Sequence, residues 1–178
     1  MFSKPRQLDS EPTLYEAAVK ILMRRAHSVY EMKRALGRRT DDEKLIKTVI
    51  DRLKQNGYID DARYAKQFAR QRTEIRRQGK YRIARDLRGR GVPDRHIDAA
   101  LEEAAAQTDE AAVVRNRIER KLKLFRGPDT DKKITDNKIA SLYRSLLRAG
   151  FSADVIRREL RSLTRADVPE PNPSDNPV

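Results

Sequence analysis

The chain has 178 residues, with 40 Lys and Arg against 27 Asp and Glu, a net charge of +13. It holds no Cys, which excludes disulfides, thiolate metal sites, Cys nucleophiles and iron-sulfur ligation and suits a reducing cytoplasm, where the protein is expected to reside. Such a charge balance favours polyanions or acidic protein surfaces as partners. At 38% the apolar fraction is low for one deep globule, yet the apolar residues recur too regularly for wholesale disorder.

Read in chain order, nearly every segment follows the helical period and almost nothing alternates at period two, so the fold class is all-α. After Met1–Ser10, which carries no apolar run, a first helix is expected from Pro12, with Leu14, Ala17, Ala18, Ile21 and Leu22 on one face. Ser28 suits the cap of a second, carrying Met32, Ala35 and Leu36 up to Gly37. Asp41 or Asp42 caps a third, whose stripe of Leu45, Ile46, Val49, Ile50 and Leu53 stops at Asn56-Gly57. A second unit opens at Asp60 or Asp61 with Ala62, Ala65, Phe68 and Ala69. It continues through Ile83, Ala84 and Leu87, breaks at Gly89 and Gly91, and restarts at Pro93 with Ile97, Ala100, Leu101 and Ala104. The third reads as a helix from Thr108 to Phe125, a Gly127-Pro128-Asp129 break, and helices from Ile134 to Arg148 and Ala153 to Leu163. Past Val168 lie four of the eight prolines (Pro169, Pro171, Pro173 and Pro177), composition expected of a disordered tail.

Spacing supports a repeat. Met32, Leu36, Ile46 and Ile50 are matched by Ile83, Leu87, Ile97 and Leu101, then by Leu142, Leu146, Ile156 and Leu160, at offsets of 51 and 59. The unequal offsets argue for diverged tandem modules. The expectation is an elongated array of three tandem three-helix modules: a flexible N-terminus (1–11), modules at 12–57, 58–106 and 107–166, and the tail at 167–178. Units of about 50 residues have little interior and gain order by stacking on neighbours.

Charge is concentrated between Arg70 and Arg95, where ten basic residues face three acidic ones, +7 of the total +13. The eight candidate contact residues are Arg70, Arg72, Arg76, Arg77, Lys80, Arg82, Arg85 and Arg88. With Ile83 at 0° on a helical wheel, Leu87 falls at about 40°, whereas Arg88, Arg85 and Arg82 fall at about 140°, 200° and 260°. One helix would thus pack on one side and present three guanidiniums on the other, with Arg forks suited to phosphate and carboxylate alike. An ordinary solvated face is the bland alternative; crowding of like charge favours an anionic partner. A second basic cluster (Arg115, Arg117, Arg120, Lys121, Lys123, Arg126) is equally compatible with a plain helix face. Asp98, Glu102, Glu103, Asp109 and Glu110 form an acidic stretch that suits either a mixed-charge protein partner or the chain's own basic segments.

No catalytic constellation is recognised, and no cofactor or metal is expected. His27 and His96 stand apart, outside any metal-ligand spacing. Gly89-Arg90-Gly91 begins like a dinucleotide turn, but Asp94 replaces the last glycine and no strand precedes it. Gly79-Lys80 is followed by Tyr81 where a phosphate loop needs Ser or Thr. Asp60-Asp61 stands where a helix cap is wanted.

His27-Ser28, Glu31-Met32, Leu36, Leu53, Gly57-Tyr58-Ile59-Asp60-Asp61, Arg63-Tyr64-Ala65, Gly79, Arg82-Ile83, Leu87 and Gly91-Val92 together resemble the RecX family of bacterial recombinase modulators. The likeness spans about residues 14 to 165, is weaker in the third unit, and includes Leu147-Arg148-Ala149-Gly150-Phe151 as the closing motif. Ala149 departs from the basic residue the pattern expects, and Arg90 replaces a usual Lys. The resemblance implies three tandem three-helix modules and binding to the RecA recombinase, in the groove of its filament on single-stranded DNA. It further implies limited filament growth and reduced ATP hydrolysis, strand exchange and SOS co-protease function. Single-stranded DNA is a second candidate contact, without sequence specificity; a monomer with no membrane partner is expected. Tyr58, Tyr64, Phe68, Leu87 and Phe151 are assigned to packing. The alternative reading is a stand-alone DNA-binding protein, whose basic helix lacks an Asn, Gln and Arg set for base reading and would bind without sequence preference.

Overall fold

The computed structural model describes residues 8–126 and 135–164. Among the described residues there are nine α-helices and no strand. They are α1 (Glu11–Leu22), α2 (Val29–Leu36), α3 (Glu43–Gln55), α4 (Asp61–Glu74), α5 (Lys80–Arg88), α6 (Asp94–Ala106), α7 (Glu110–Arg126), α8 (Asp136–Arg148) and α9 (Ala153–Thr164). The Gly127-Pro128-Asp129 break, Ile134 and the tail at 167–178 lie outside the described residues.

Local chemistry sets the boundaries. α1 begins at Glu11, with Pro12 in its first turn, where the missing N–H costs nothing. Ahead of it the Leu8 N–H donates to the Arg39 carbonyl at 2.8 Å. Ser28 and Glu31 form a reciprocal capping box at the start of α2. Of the two candidate caps for α3, Asp42 is used, its carboxylate accepting from the Lys44 and Leu45 amides at 2.9 and 3.0 Å. Asp60, not Asp61, caps α4 through the Ala62 and Arg63 amides at 2.8 and 3.2 Å. Asp61 is thereby released to accept from the Val29 amide at 2.9 Å.

One stop motif ends a helix in each repeat. Gly57, Gly91 and Gly150 have φ of 68°, 68° and 89°, and the next amide (Tyr58, Val92, Phe151) donates back to Leu53, Leu87 and Leu146. Only glycine takes this left-handed position freely. After two of these stops the following side chain, Val92 or Phe151, is buried. Tyr58 is the exception and corrects the packing assignment: it is 53% exposed, and Ile59 fills the core position in its place.

The chain divides into two compact units, residues 1–68 with 87–100, and residues 69–86 with 101–178. In the first, α1, α2 and α3 bundle around Leu14, Ala18, Met32, Leu36, Val49, Ile50 and Leu53. In the second, α7, α8 and α9 bundle around Val114, Ile118, Leu142, Leu146, Phe151, Ile156 and Leu160. Each fully buried Leu or Ile contributes about 1.5–3 kcal/mol, which holds these short helices in place. The unit boundaries fall inside α4, α5 and α6.

Candidate functional site

In the first unit, the start of α2 meets the turn after α5. Ser28 Oγ donates to the Arg90 carbonyl at 2.6 Å, and Gly91 lies so close that a Cβ there would meet Tyr30 Cγ at 2.4 Å. Glu31 is the hub. Its carboxylate accepts from Arg90 at 2.7 Å, Arg25 at 3.1 and 3.2 Å, the Ser28 amide at 3.2 Å and the Tyr64 hydroxyl at 3.3 Å. Arg90 also lies over the Phe68 ring at 5.1 Å. Burial raises the Glu31 pKa, but the Arg25 and Ser28 hydrogen bonds and the Arg90 charge outweigh it and leave the carboxyl below its ordinary value.

Corresponding sequence positions meet in the second unit, at a second joint. Displacing Ser28, Tyr30 and Glu31 by 51 positions gives Gly79, Tyr81 and Arg82; displacing Arg90 and Gly91 by 59 gives Ala149 and Gly150. The Gly79 amide donates to the Ala149 carbonyl at 2.9 Å and the Tyr81 amide to the Gly150 carbonyl at 3.1 Å. A Cβ on Gly79 would stand 2.1 Å from the Gly150 carbonyl oxygen, so glycine is required there for a backbone-to-backbone approach. Through Asp60 and Asp109, which cap α4 and α7, Tyr64 corresponds to Val113 and Phe68 to Arg117. The buried pairs Ala65 with Val114 and Ala69 with Ile118 agree with that register.

Corresponding segments meet in the two units, but through different contacts, a Ser28 hydroxyl in the first and backbone amides in the second, and with different charge. Where Glu31 stands, the second joint has Arg82; where Arg90 stands, it has Ala149. Arg82 is half-buried, its Nη1 reaching the Arg148 carbonyl at 3.4 Å while its buried Nε has no partner. Arg117 lies over the buried Phe151 ring at 5.6 Å. Burial, then the charges of Arg120, Arg77 and Arg82, push the Arg117 pKa down. Among the described residues none of the four is paired with a carboxylate.

The eight candidate contact residues therefore separate. Arg76, Arg77, Lys80 and Arg85 are exposed. Of the three arginines expected on the outer face of α5, Arg88 is exposed and paired with Asp94 at 2.7 Å, whereas Arg82 is half-buried and packs beside the Gly150 turn. Arg70 pairs with Glu74 at 3.0 Å one turn along α4, and Arg72 is half-buried with a buried Nε. Arg77 has φ 49°, and the Gln78 amide donates back to the Arg72 carbonyl at 3.0 Å, which turns the chain between α4 and α5. Seven of the eight lie in the second unit and Arg88 in the first. Within the acidic stretch, Asp109 caps α7 and Glu110 accepts from the Ser152 amide at 3.4 Å, both contacts within the chain.

Sequence reading missed the Glu31 hub, although Glu three residues after Ser28 was its visible signal. It also treated Arg117 as part of a separate cluster, because the turn at Gly150-Phe151 that both Arg82 and Arg117 meet is a tertiary feature. No group of three His, Asp or Glu side chains able to hold a metal occurs among the described residues. No helix among them is long and apolar enough to cross a membrane.

Comparison with known proteins places this geometry. The family description "RecX, first three-helix domain" matches residues 15–53, and "RecX, second three-helix domain" matches residues 60–101. The chain is 37% identical over 143 residues to the regulatory protein RecX of Halorhodospira halophila (strain DSM 244 / SL1), covering 80% of this chain and 83% of that one. It is 34% identical over 159 residues to the regulatory protein RecX of Mycobacterium sp. (strain JLS), covering 85% and 86%. The crystal structure of RecX from Lactobacillus salivarius superposes with a TM-score of 0.70 at 22% identity over 88% of this chain and 97% of that one, a likeness of fold. On the strength of these relatives and the two matched domains, the chain belongs to the RecX family of regulatory proteins.

Proposed function

We propose that this protein binds the RecA recombinase and its filament on single-stranded DNA and limits filament growth. Recombinase ATP hydrolysis, strand exchange and SOS co-protease activity fall as a consequence. The protein acts by binding and not by catalysis, in the cytoplasm and as a monomer, through three tandem modules at 12–57, 58–106 and 107–166. The observation that carries this reading is the group of exposed basic residues Arg76, Arg77, Lys80 and Arg85, with no ion-pair partner among the described residues, in a chain of a regulatory family. Exposed guanidiniums without carboxylates suit acidic protein surfaces and backbone phosphates, and they supply no base-reading set.

Inhibition follows from mass action. A protein that contacts adjacent recombinase protomers favours one protomer arrangement only by its differential contacts with the two. Bound near an end, it also blocks addition of the next subunit. Co-sedimentation with preformed recombinase filaments tests the reading. The wild-type protein is expected in the pellet, and the triple variant Arg76→Ala, Lys80→Ala, Arg85→Ala is expected in the supernatant with its helical content intact. Equal pelleting of both overturns the assignment of this surface; failure of the wild type to pellet overturns the filament reading.

A further inference from the structure

The two joints bring corresponding stretches of sequence together, the start of a helix against a glycine turn, with different charge. In the first, one carboxylate, Glu31, satisfies two arginines, a hydroxyl and an amide. In the second, Arg82 occupies the place of that glutamate, Arg117 the place of Phe68 and Val113 the place of Tyr64, so the ring and hydroxyl of the first joint are absent as well. We infer that Arg82 and Arg117, which meet the same Arg148–Phe151 turn, form a binding site for a phosphate group, whose oxygens play the part of the Glu31 carboxylate in the first joint.

Three features of the second unit support a built site. Arg82 is anchored at one end by the Arg148 carbonyl, which leaves the buried Nε with a donor to place. Arg117 lies over the buried Phe151 ring at 5.6 Å, a contact that favours holding the guanidinium at this turn. Arg77 is held by the left-handed turn between α4 and α5, and the same short turn carries Gly79, whose approach to Gly150 sets the position of Arg82. A tetrahedral phosphate offers more acceptor oxygens than a carboxylate, and several Arg forks can share it. With Arg82 and Arg117 at one turn and no carboxylate paired with either among the described residues, phosphate is the better match. The inference deepens the proposed function by naming the chemistry recognised, and it rests on that reading only for the source of the phosphate.

The test uses the full chain. Inorganic phosphate is titrated against chloride at matched ionic strength, following thermal unfolding and Arg side-chain NMR signals. Phosphate is expected to raise the melting temperature beyond chloride and to shift the Arg82 and Arg117 Nε–H signals. Arg82→Glu restores the acid of the first joint beside Arg117; it is expected to fold and to weaken phosphate binding at least tenfold. Should it not fold, Arg117→Gln serves the same purpose, while Arg144→Gln, at an exposed arginine of α8 outside the site, is expected to keep the wild-type response. A response to phosphate no larger than to chloride, or unchanged in Arg82→Glu, overturns the inference. An oligothymidylate competing with inorganic phosphate in the wild type assigns the site to the DNA backbone, whereas competition by ATP alone assigns it to a free nucleotide. Glutamate competing as well as phosphate overturns the choice of phosphate. Filament co-sedimentation of the wild type is scored separately, so the site and the filament reading fail independently.

Discussion

Glu31→Ala tests whether the first joint is held by one carboxylate. The side chain is 17% exposed and its partner Arg90 30%, so their bond at 2.7 Å is shielded from water, whereas Arg25 is 53% exposed. Hydrogen bonds to charged groups are worth about 1.5–3 kcal/mol each, and losing a partner leaves the other group unpaired. Exposed pairs such as Arg25 contribute under about 1 kcal/mol. Removing the carboxylate deprives Arg90, Tyr64 and the Ser28 amide at once, and because such contacts are not additive we expect a loss of about 3 kcal/mol. Two compact units need not unfold together, so the assay is native-state hydrogen exchange at the amides of α2, which reports local opening. A loss of that size accelerates exchange there roughly a hundredfold where opening of the first unit controls it. Arg25→Ala is expected to accelerate it fivefold at most. If Glu31→Ala accelerates exchange no more than Arg25→Ala, the hub does not hold the joint and the correspondence between the joints loses its energetic basis.

Gly79→Ala forces a methyl against the Gly150 carbonyl and the Phe151 amide, and is expected to cost the second unit more than about 3 kcal/mol, seen as lost protection in α8 and α9. Arg77→Gly relieves a left-handed backbone worth roughly 1 kcal/mol, so it is expected to keep or raise stability while weakening filament co-sedimentation; a fall in stability contradicts the turn described above. Lowering the pH tests the direction of the Glu31 shift. Its folded pKa lies below the ordinary 4.5 of the unfolded chain, so its contribution is full above that value and disappears as the pH falls through the folded pKa. Protection of α2 should therefore drop below pH 4.5 in the wild type, and Glu31→Gln should flatten that part of the profile.

Much of the helix plan was legible because short amphipathic helices announce themselves by apolar period and caps. Ser28, Asp42 and Asp60 cap as their residue types allow, and Gly57, Gly91 and Gly150 stop helices where a left-handed residue is needed. The sequence left Asp60 and Asp61 indistinguishable because both satisfy the local rule; only the Val29 amide, 32 residues away, decides between them. The wheel for α5 failed at Arg82 for a similar reason. A wheel ranks faces relative to one helix and does not know that the Gly150 turn lies against that side. The offsets of 51 and 59 align Glu31 and Arg90 with Arg82 and Ala149, an exchange whose meaning shows only once the contacts are known.

The most direct measurement is recombinase ATPase on single-stranded DNA, titrated with this protein alongside its binding to bare DNA at the same salt. Filament modulation predicts inhibition at concentrations far below those that coat the DNA. Inhibition that begins only at coating concentrations, and weakens with salt in step with bare-DNA binding, contradicts it and favours a stand-alone DNA-binding protein.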